Sequence, residues 1–152
     1  MRMPRLARRG ERHTKWRANP MWICPSCLYR WRVLPGPIDE KTRKPRRKTD
    51  KERSAEKICR SCKSVALHCG SKKEADYYAK LQNLLDRGEI AGFKFQVPFQ
   101  LEGCKYIADF VIEDTDGTER VVDVKGYAGD TPLSKQKLRQ MKERHEISVQ
   151  VV

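Results

Sequence analysis

The sequence predicts an α+β protein: a helix, three strands, a second helix and a final strand, preceded by a small cysteine-bound module. Three observations carry that expectation. Four of the six cysteines form two C-x-x-C pairs, Cys24/Cys27 and Cys59/Cys62. Two β-rich runs, Tyr106–Glu113 and Glu119–Lys125, flank Asp114–Thr118, whose D-T-D-G-T composition suits a hairpin loop. Helix-like stretches lie on either side of that hairpin. The first opens with the S-x-x-E of a capping box at Ser71–Glu74, and the second is the Lys- and Arg-rich run Leu133–His145.

The chain has 152 residues, enough for one domain with a small appendage. Hydrophobic content is 38% and charged content 35%, so the core is modest. No apolar run approaches the roughly 20 residues that span a bilayer, and the Arg-rich start lacks the apolar segment of a secretory signal. The expectation is a soluble, cytoplasmic protein with no membrane partner. The net charge of +13 is lopsided. Residues 1–63 hold 20 of the 33 lysines and arginines but 6 of the 20 acids. An imbalance confined to one part of the chain, with aromatic residues interleaved, points to nucleic acid rather than to a merely solvated tag.

In chain order, residues 1–20 form a basic arm in which Trp16, between Lys15 and Arg17, can stack on a base or dock on the next segment. Residues 21–64 form a four-cysteine, zinc-ribbon-like module. Trp22, Tyr29 and Trp31 are placed to cover a site that has little core of its own. In a reducing compartment, two such pairs indicate a tetrahedral structural zinc. A redox pair, or a ligand set using His68 or Cys69, is the alternative. The 31 residues between Cys27 and Cys59 are tolerable because closure entropy grows only logarithmically with loop length. Within them, residues 34–57 read as an insertion too polar to order itself. Its cluster of Arg43, Lys44, Arg46, Arg47 and Lys48 suits a DNA-contacting loop better than a nuclear localisation signal.

Residues 65–152 form the remaining domain. A short strand bridges Val65–Gly70. The first helix runs from Ser71 to about Leu85, with Ala75, Tyr78, Leu81 and Leu85 on one stripe. Glu74 has a complete role as capping-box partner, and it can instead point at the hairpin. Phe93–Leu101 alternates as a strand in which Pro98 marks an edge or bulge. In the hairpin, a loop of odd length centred on Asp116 makes facing residue numbers sum to 232 and sets Asp109 opposite Asp123. A two-residue Asp116-Gly117 turn puts them on opposite faces. The odd register brings two carboxylates together, which repel unless a cation sits between them. Lys125 shares the face of Asp123. Ile147–Val152 is the last strand.

With A-D-F on one strand and D-V-K-G on the next, this order resembles the PD-(D/E)XK nuclease superfamily. It most resembles a largely uncharacterised phage and prophage family similar to phage-type Holliday-junction resolving endonucleases. The matching residues are Ser71–Ala75, Gln96, Tyr106–Phe110, Asp123–Gly126, Thr131, Lys135 and Lys137. The motif carries Asp123 where a glutamate is also admitted, and the cysteine module lies outside the pattern. The resemblance implies a restriction-endonuclease-like core and Mg²⁺- or Mn²⁺-dependent hydrolysis of DNA phosphodiester bonds. It implies that Glu74, Asp109 and Asp123 hold the metal and that Lys125 acts on the water or the phosphate. Lys135 and Lys137 would clamp phosphate, and Gln96 at the nucleic-acid face would hold a water or a neighbouring backbone group. Branched DNA is the implied partner, and a homodimer fits symmetric cutting of two strands. Rival readings are a non-catalytic zinc-dependent DNA-binding protein and a nuclease acting on RNA.

Overall fold

The computed structural model describes residues 20–125 and 131–152. The basic arm, Trp16 included, and Gly126 lie outside them. The protein is α+β. Its elements are β1 (Met21–Ile23), β2 (Arg30–Arg32), α1 (Asp50–Glu56), β3 (Leu67–Cys69), α2 (Lys72–Asp86), β4 (Ile90–Gln100), β5 (Lys105–Asp114), β6 (Glu119–Asp123), α3 (Pro132–His145) and β7 (Gln150–Val151). From α2 onward the order is helix, three strands, helix, strand, as expected. Among the described residues, no helix is long and apolar enough to cross a membrane.

The larger sheet has the order β4-β5-β6-β7, with β7 parallel to β6 after the α3 crossover. β4 is an edge strand, which is where Pro98 can sit without costing a ladder bond. α2 and α3 serve two hydrophobic clusters. Tyr78 and Leu81 of α2 pack with Phe110, Ile112 and Val122, while Met141 of α3 packs with Val111 and Val121. Phe110, at the centre of the first cluster, meets the rings of Tyr77, Phe95 and Tyr78.

The small sheet, β2-β1-β3, corrects two boundaries. First, β3 pairs antiparallel with β1, through Met21↔Cys69, Trp22↔His68 and Ile23↔Leu67, so the cysteine module extends through residue 69 rather than ending at 64. The module is also not a loose appendage. Ile23 and Cys69, both fully buried, belong to the cluster of Tyr78 and Phe110, and Arg30 ion-pairs with Asp76 of α2. Second, residues 34–57 are structured. Thr49 and Glu52 form a reciprocal capping box that starts α1, and Ile38 bridges Pro45. The charge pattern supplies what apolar burial cannot. Arg46 pairs with Glu52, and Lys48 with Glu56. The Trp31 indole N–H and the Leu34 N–H both bond to Glu56, at 3.2 and 2.7 Å.

Candidate active site and metal centre

The two C-x-x-C segments fold into the same turn. In each, the residue four positions after the first cysteine takes a left-handed conformation, Leu28 at φ 58° and Lys63 at φ 64°. Each donates its N–H to that cysteine's carbonyl, Leu28 to Cys24 at 2.9 Å and Lys63 to Cys59 at 3.0 Å. The first cysteine's own N–H reaches five residues on, to Tyr29 and Ser64, at 2.9 Å in both. Apposing the turns brings Cys24 Sγ to 3.3 Å from Cys62 Sγ and Cys27 Sγ to 3.6 Å from Cys59 Sγ, with all four sulfurs within 4.8 Å of one another. A tetrahedron with bonds of about 2.3 Å requires sulfurs roughly 3.8 Å apart, so the quartet can hold a zinc ion. Backbone N–H groups of Cys62 and Ser61 point at Cys59 and lower its pKa, favouring the thiolate a metal needs. Neither His68 nor Cys69 belongs to the quartet.

The hairpin takes the odd register. Phe110↔Val122, Val111↔Val121, Ile112↔Arg120 and Glu113↔Glu119 all face each other. Asp114 N–H bonds to Thr118 O at 2.9 Å, leaving the three-residue loop Thr115–Gly117. Gly117 is left-handed at φ 83°, as such a loop requires at its last position. Asp116 caps the turn by accepting from Thr118 N–H at 2.9 Å. Asp109 and Asp123 lie one step beyond the ladder, and the Asp123 carboxyl raises the pKa of Asp109. Asp109 Oδ2 accepts from Val124 N–H at 2.7 Å. Buried Asp123 accepts from Tyr106 Oη at 3.0 Å and lies 2.6 Å from Lys125 Nζ.

β7 fixes the D-V-K segment from the far side. Lys125 N–H donates to Val152 O at 2.9 Å, and Val152 N–H donates to Asp123 O at 3.1 Å. Glu74, 6% exposed, does not complete the expected capping box, because its carboxylate turns past the Ser71 N-cap to Gly70. Its N–H bonds to Ser71 Oγ at 3.1 Å, while its carboxylate takes the Gly70 N–H at 2.6 Å and Gln96 Nε2 at 3.4 Å. Burial raises the pKa of Glu74, against those hydrogen bonds. Burial also pushes Asp109 up to about 7, helped by the Asp123 carboxyl and the Glu74 charge. A cation among these oxygens relieves that cost, and hard carboxylate donors suit Mg²⁺ or Mn²⁺. Glu74 does not draw in on the two aspartates as tightly as the four sulfurs draw together.

Gln96 is not free to meet nucleic acid through its amide, which donates to His68 O at 3.1 Å and to Glu74. It sits within β4 at φ 52°, a left-handed conformation unusual for a non-glycine strand residue. Phe93 and Phe95 pack on the α2 side, yet Val97 and Phe99, of the same parity, pack on the α3 side. On β5 the same change separates Phe110 from Ala108 and Tyr106. Strand alternation therefore breaks at Gln96 and Asp109, the one position missing between Phe95↔Phe110 and Val97↔Ala108. The break brings Tyr106 to Asp123, a contact that strict alternation hides.

Beside Lys125 lies a cavity of about 350 Å³ lined by Lys105, Lys125, Lys137, Tyr106 and Ser134, with no acid among its lining residues. Lys137 Nζ lies 3.4 Å from Lys105 O. Sequence reasoning missed Lys105, Ser134 and Tyr106. Tyr106 opens the matched segment Tyr106–Phe110, but only as part of the pattern. Lys135, on the exposed side of α3, does not line the cavity. Residues 53–151 match the model of a protein family described as a protein of unknown function, DUF1064. The chain belongs to the DUF1064 family. No curated protein and no solved structure matches it. The DUF1064 match takes in Cys59, Cys62, Glu74, Asp109, Asp123 and Lys125, and leaves Cys24 and Cys27 outside.

The raised pKa of Asp109 makes a stability prediction. An aspartate with a folded pKa near 7 and an ordinary value of 3.8 disfavours the folded chain as pH rises through that interval. Asp109→Asn keeps the oxygen that accepts from Val124 and removes the charge. Without added Mg²⁺, at pH 8, it is expected to stabilise the protein by about 1–2 kcal/mol after discounting for solvent, or about 3–6 °C in Tm. The gain should vanish by pH 4. Thermal melts across pH read it, and an unchanged or lower Tm at pH 8 counts against a strained carboxylate pair.

Proposed function

We propose that this protein is a metal-dependent endonuclease that hydrolyses DNA phosphodiester bonds and selects branched or junction DNA. The odd hairpin register carries the reading, because it sets Asp109 and Asp123 together with Lys125 at 2.6 Å from Asp123. Two acids forced together at a cost, beside a lysine and a cationic cavity, suit chemistry on a phosphate better than they suit stability.

Asp109, Asp123 and Glu74 would hold Mg²⁺ or Mn²⁺, which when bound lowers the pKa of a coordinated water and offsets charge on the phosphate. Lys125 is placed to orient that water or to neutralise the phosphoryl oxygens. Tyr106 holds the Asp123 carboxylate in place. Lys105 and Lys137 would seat the strand's phosphates in the cavity, and Gln96 would fix Glu74. Zinc on the cysteine quartet would be structural.

The test is a panel of end-labelled substrates: duplex, nicked, flapped, bulged and four-way-junction DNA, with matching structured RNA. Each is incubated with zinc-loaded protein, with Mg²⁺, with Mn²⁺ or without either. Cleavage of branched DNA only with added metal is the expected result, and paired symmetric cuts would mark a homodimer. Binding of every DNA with cleavage of none would establish the rival reading, a zinc-dependent DNA-binding protein. That reading draws on the ion pair of Lys125 with Asp123, which by itself balances the buried carboxylate. Cleavage confined to RNA would move the substrate class.

A further inference from the structure

The region between the cysteine module and residues 34–57 encloses a second cavity, of about 390 Å³. Its walls are of two kinds. Trp22, Val33 and Leu34 supply an aromatic and aliphatic surface, while Arg47, Arg53 and Lys57 supply positive charge beside the Lys48–Glu56 ion pair, whose carboxylate also lines the cavity. Arg53 pairs with Asp50, but among the described residues no carboxylate pairs with Arg47 or Lys57. Leu34 is 57% exposed although it borders the cavity.

The walls are held by specific contacts. Glu56 takes the Leu34 N–H and the Lys48 ammonium, and its carbonyl takes the Trp31 indole N–H. At Gly36, a Cβ would stand 1.7 Å from Arg46 O, so the two backbone segments meet there as no side chain would allow. Trp22 Nε1–H is buried and has no hydrogen-bond acceptor of normal geometry. It faces the Glu56 carboxylate, which is already engaged by Lys48 and Leu34. The two carboxylate oxygens accept more than two hydrogen bonds, so Glu56 ties Trp22 into the same wall as Lys48 and Leu34.

We infer that this cavity binds one unpaired nucleotide, its base against Trp22, Val33 and Leu34 and its phosphate on Arg47 and Lys57. The volume falls in the lower part of the range that encloses small ligands, about 300–1,000 Å³. The two kinds of wall match the two ends of a nucleotide. A heterocyclic base offers a π-face for the apolar side. A stacked arginine or a lysine neutralises the phosphate. Two sources share this chemistry, an unpaired residue of a strand and a free mononucleotide. The inference rests on the endonuclease reading only in taking nucleic acid as the partner. It goes beyond that reading by placing recognition of unpaired structure in the cysteine module.

Binding without cleavage separates the two. Zinc-loaded Asp109→Asn, with no Mg²⁺ added, is titrated against three fluorescent duplexes: fully paired, with one bulged thymidine, and with an abasic residue at the bulge. The bulged thymidine should bind about tenfold tighter than either of the others, the effect of about one stacked base. Leu34→Trp, at an exposed position, fills the cavity and should erase the preference while leaving the paired duplex within about twofold. Arg47→Ala with Lys57→Ala should erase it as well, so that neither variant stands alone. Calorimetry with thymidine monophosphate distinguishes the sources. Heat that Leu34→Trp abolishes, without any bulge preference, assigns the cavity to a free nucleotide. Equal binding of thymidine and abasic bulges, with no heat from thymidine monophosphate, overturns the inference, whatever the cleavage assay returns.

Discussion

Cys59→Ser is expected to unfold far more than a knuckle. Cys59 is fully buried, and its N–H and carbonyl hold the second turn closed through Ser64 and Lys63. Losing one of four thiolates weakens the metal site, and structural zinc contributes about 10–16 kcal/mol of binding free energy in isolated fingers at neutral pH. β1 and β3 are three residues each and pair only within the small sheet, so little else holds them. Once they part, Ile23 and Cys69 leave the cluster of Ala75, Tyr78, Leu81 and Phe110. The Gly70 N–H and the His68 carbonyl, which support Glu74 and Gln96, move with them. Chelation of the wild type and Cys59→Ser should therefore each lower Tm by more than about 10 °C. Each should also uncover the Tyr78 side of α2 to hydrogen exchange. The control is Cys104→Ser, outside the quartet. If the chelated protein melts at the temperature of the zinc-loaded one, the quartet is not a structural metal site.

That coupling was hidden in the sequence, although most elements were legible. Periodicity and turn residues located α2, the hairpin and α3 to within two residues, because each pattern is local. The two C-x-x-C pairs located the sulfur quartet because their spacing closes a tetrahedron whatever lies between. Residues 34–57 misled because hydropathy measures apolar burial and not ion pairing. Arg46 with Glu52, Lys48 with Glu56 and the Thr49 cap order a segment that has no buried residue in its helix. The pairing of β3 with β1 is long-range, Met21 with Cys69, and no local pattern announces it. The hairpin acids were legible through loop arithmetic. Tyr106 was not, because unbroken alternation puts it on the face opposite Asp123 and left-handed Gln96 interrupts that alternation. The departure from local rules thus lies where the proposed chemistry lies, as expected where function costs stability.

Lys125→Met is expected to lower the cleavage rate by about 10²–10⁴-fold while leaving the protein folded. Methionine keeps most of the aliphatic stem, and the backbone bond from residue 125 to Val152 O does not depend on the side chain. What is lost is the ammonium 2.6 Å from Asp123 Oδ2, which among the described residues is the cation in direct contact with the paired acids. Because Lys105 and Lys137 remain in the cavity, substrate binding should change little, so the loss should fall on kcat with KM moving by less than about threefold. Lys137→Ala should do the reverse, weakening binding uniformly across sequences and reducing the salt dependence of affinity by about one phosphate contact. Asp109→Asn should remove cleavage almost entirely, yet by the stability argument it should melt higher than wild type without Mg²⁺. A merely structural aspartate cannot give that pair of outcomes, because its loss lowers stability along with activity. Single-turnover rates, KM and Tm measured on the three variants together decide the matter. If Lys125→Met cleaves at the wild-type rate, the lysine only neutralises Asp123, and the site drawn from this hairpin is an ion pair and not an active centre.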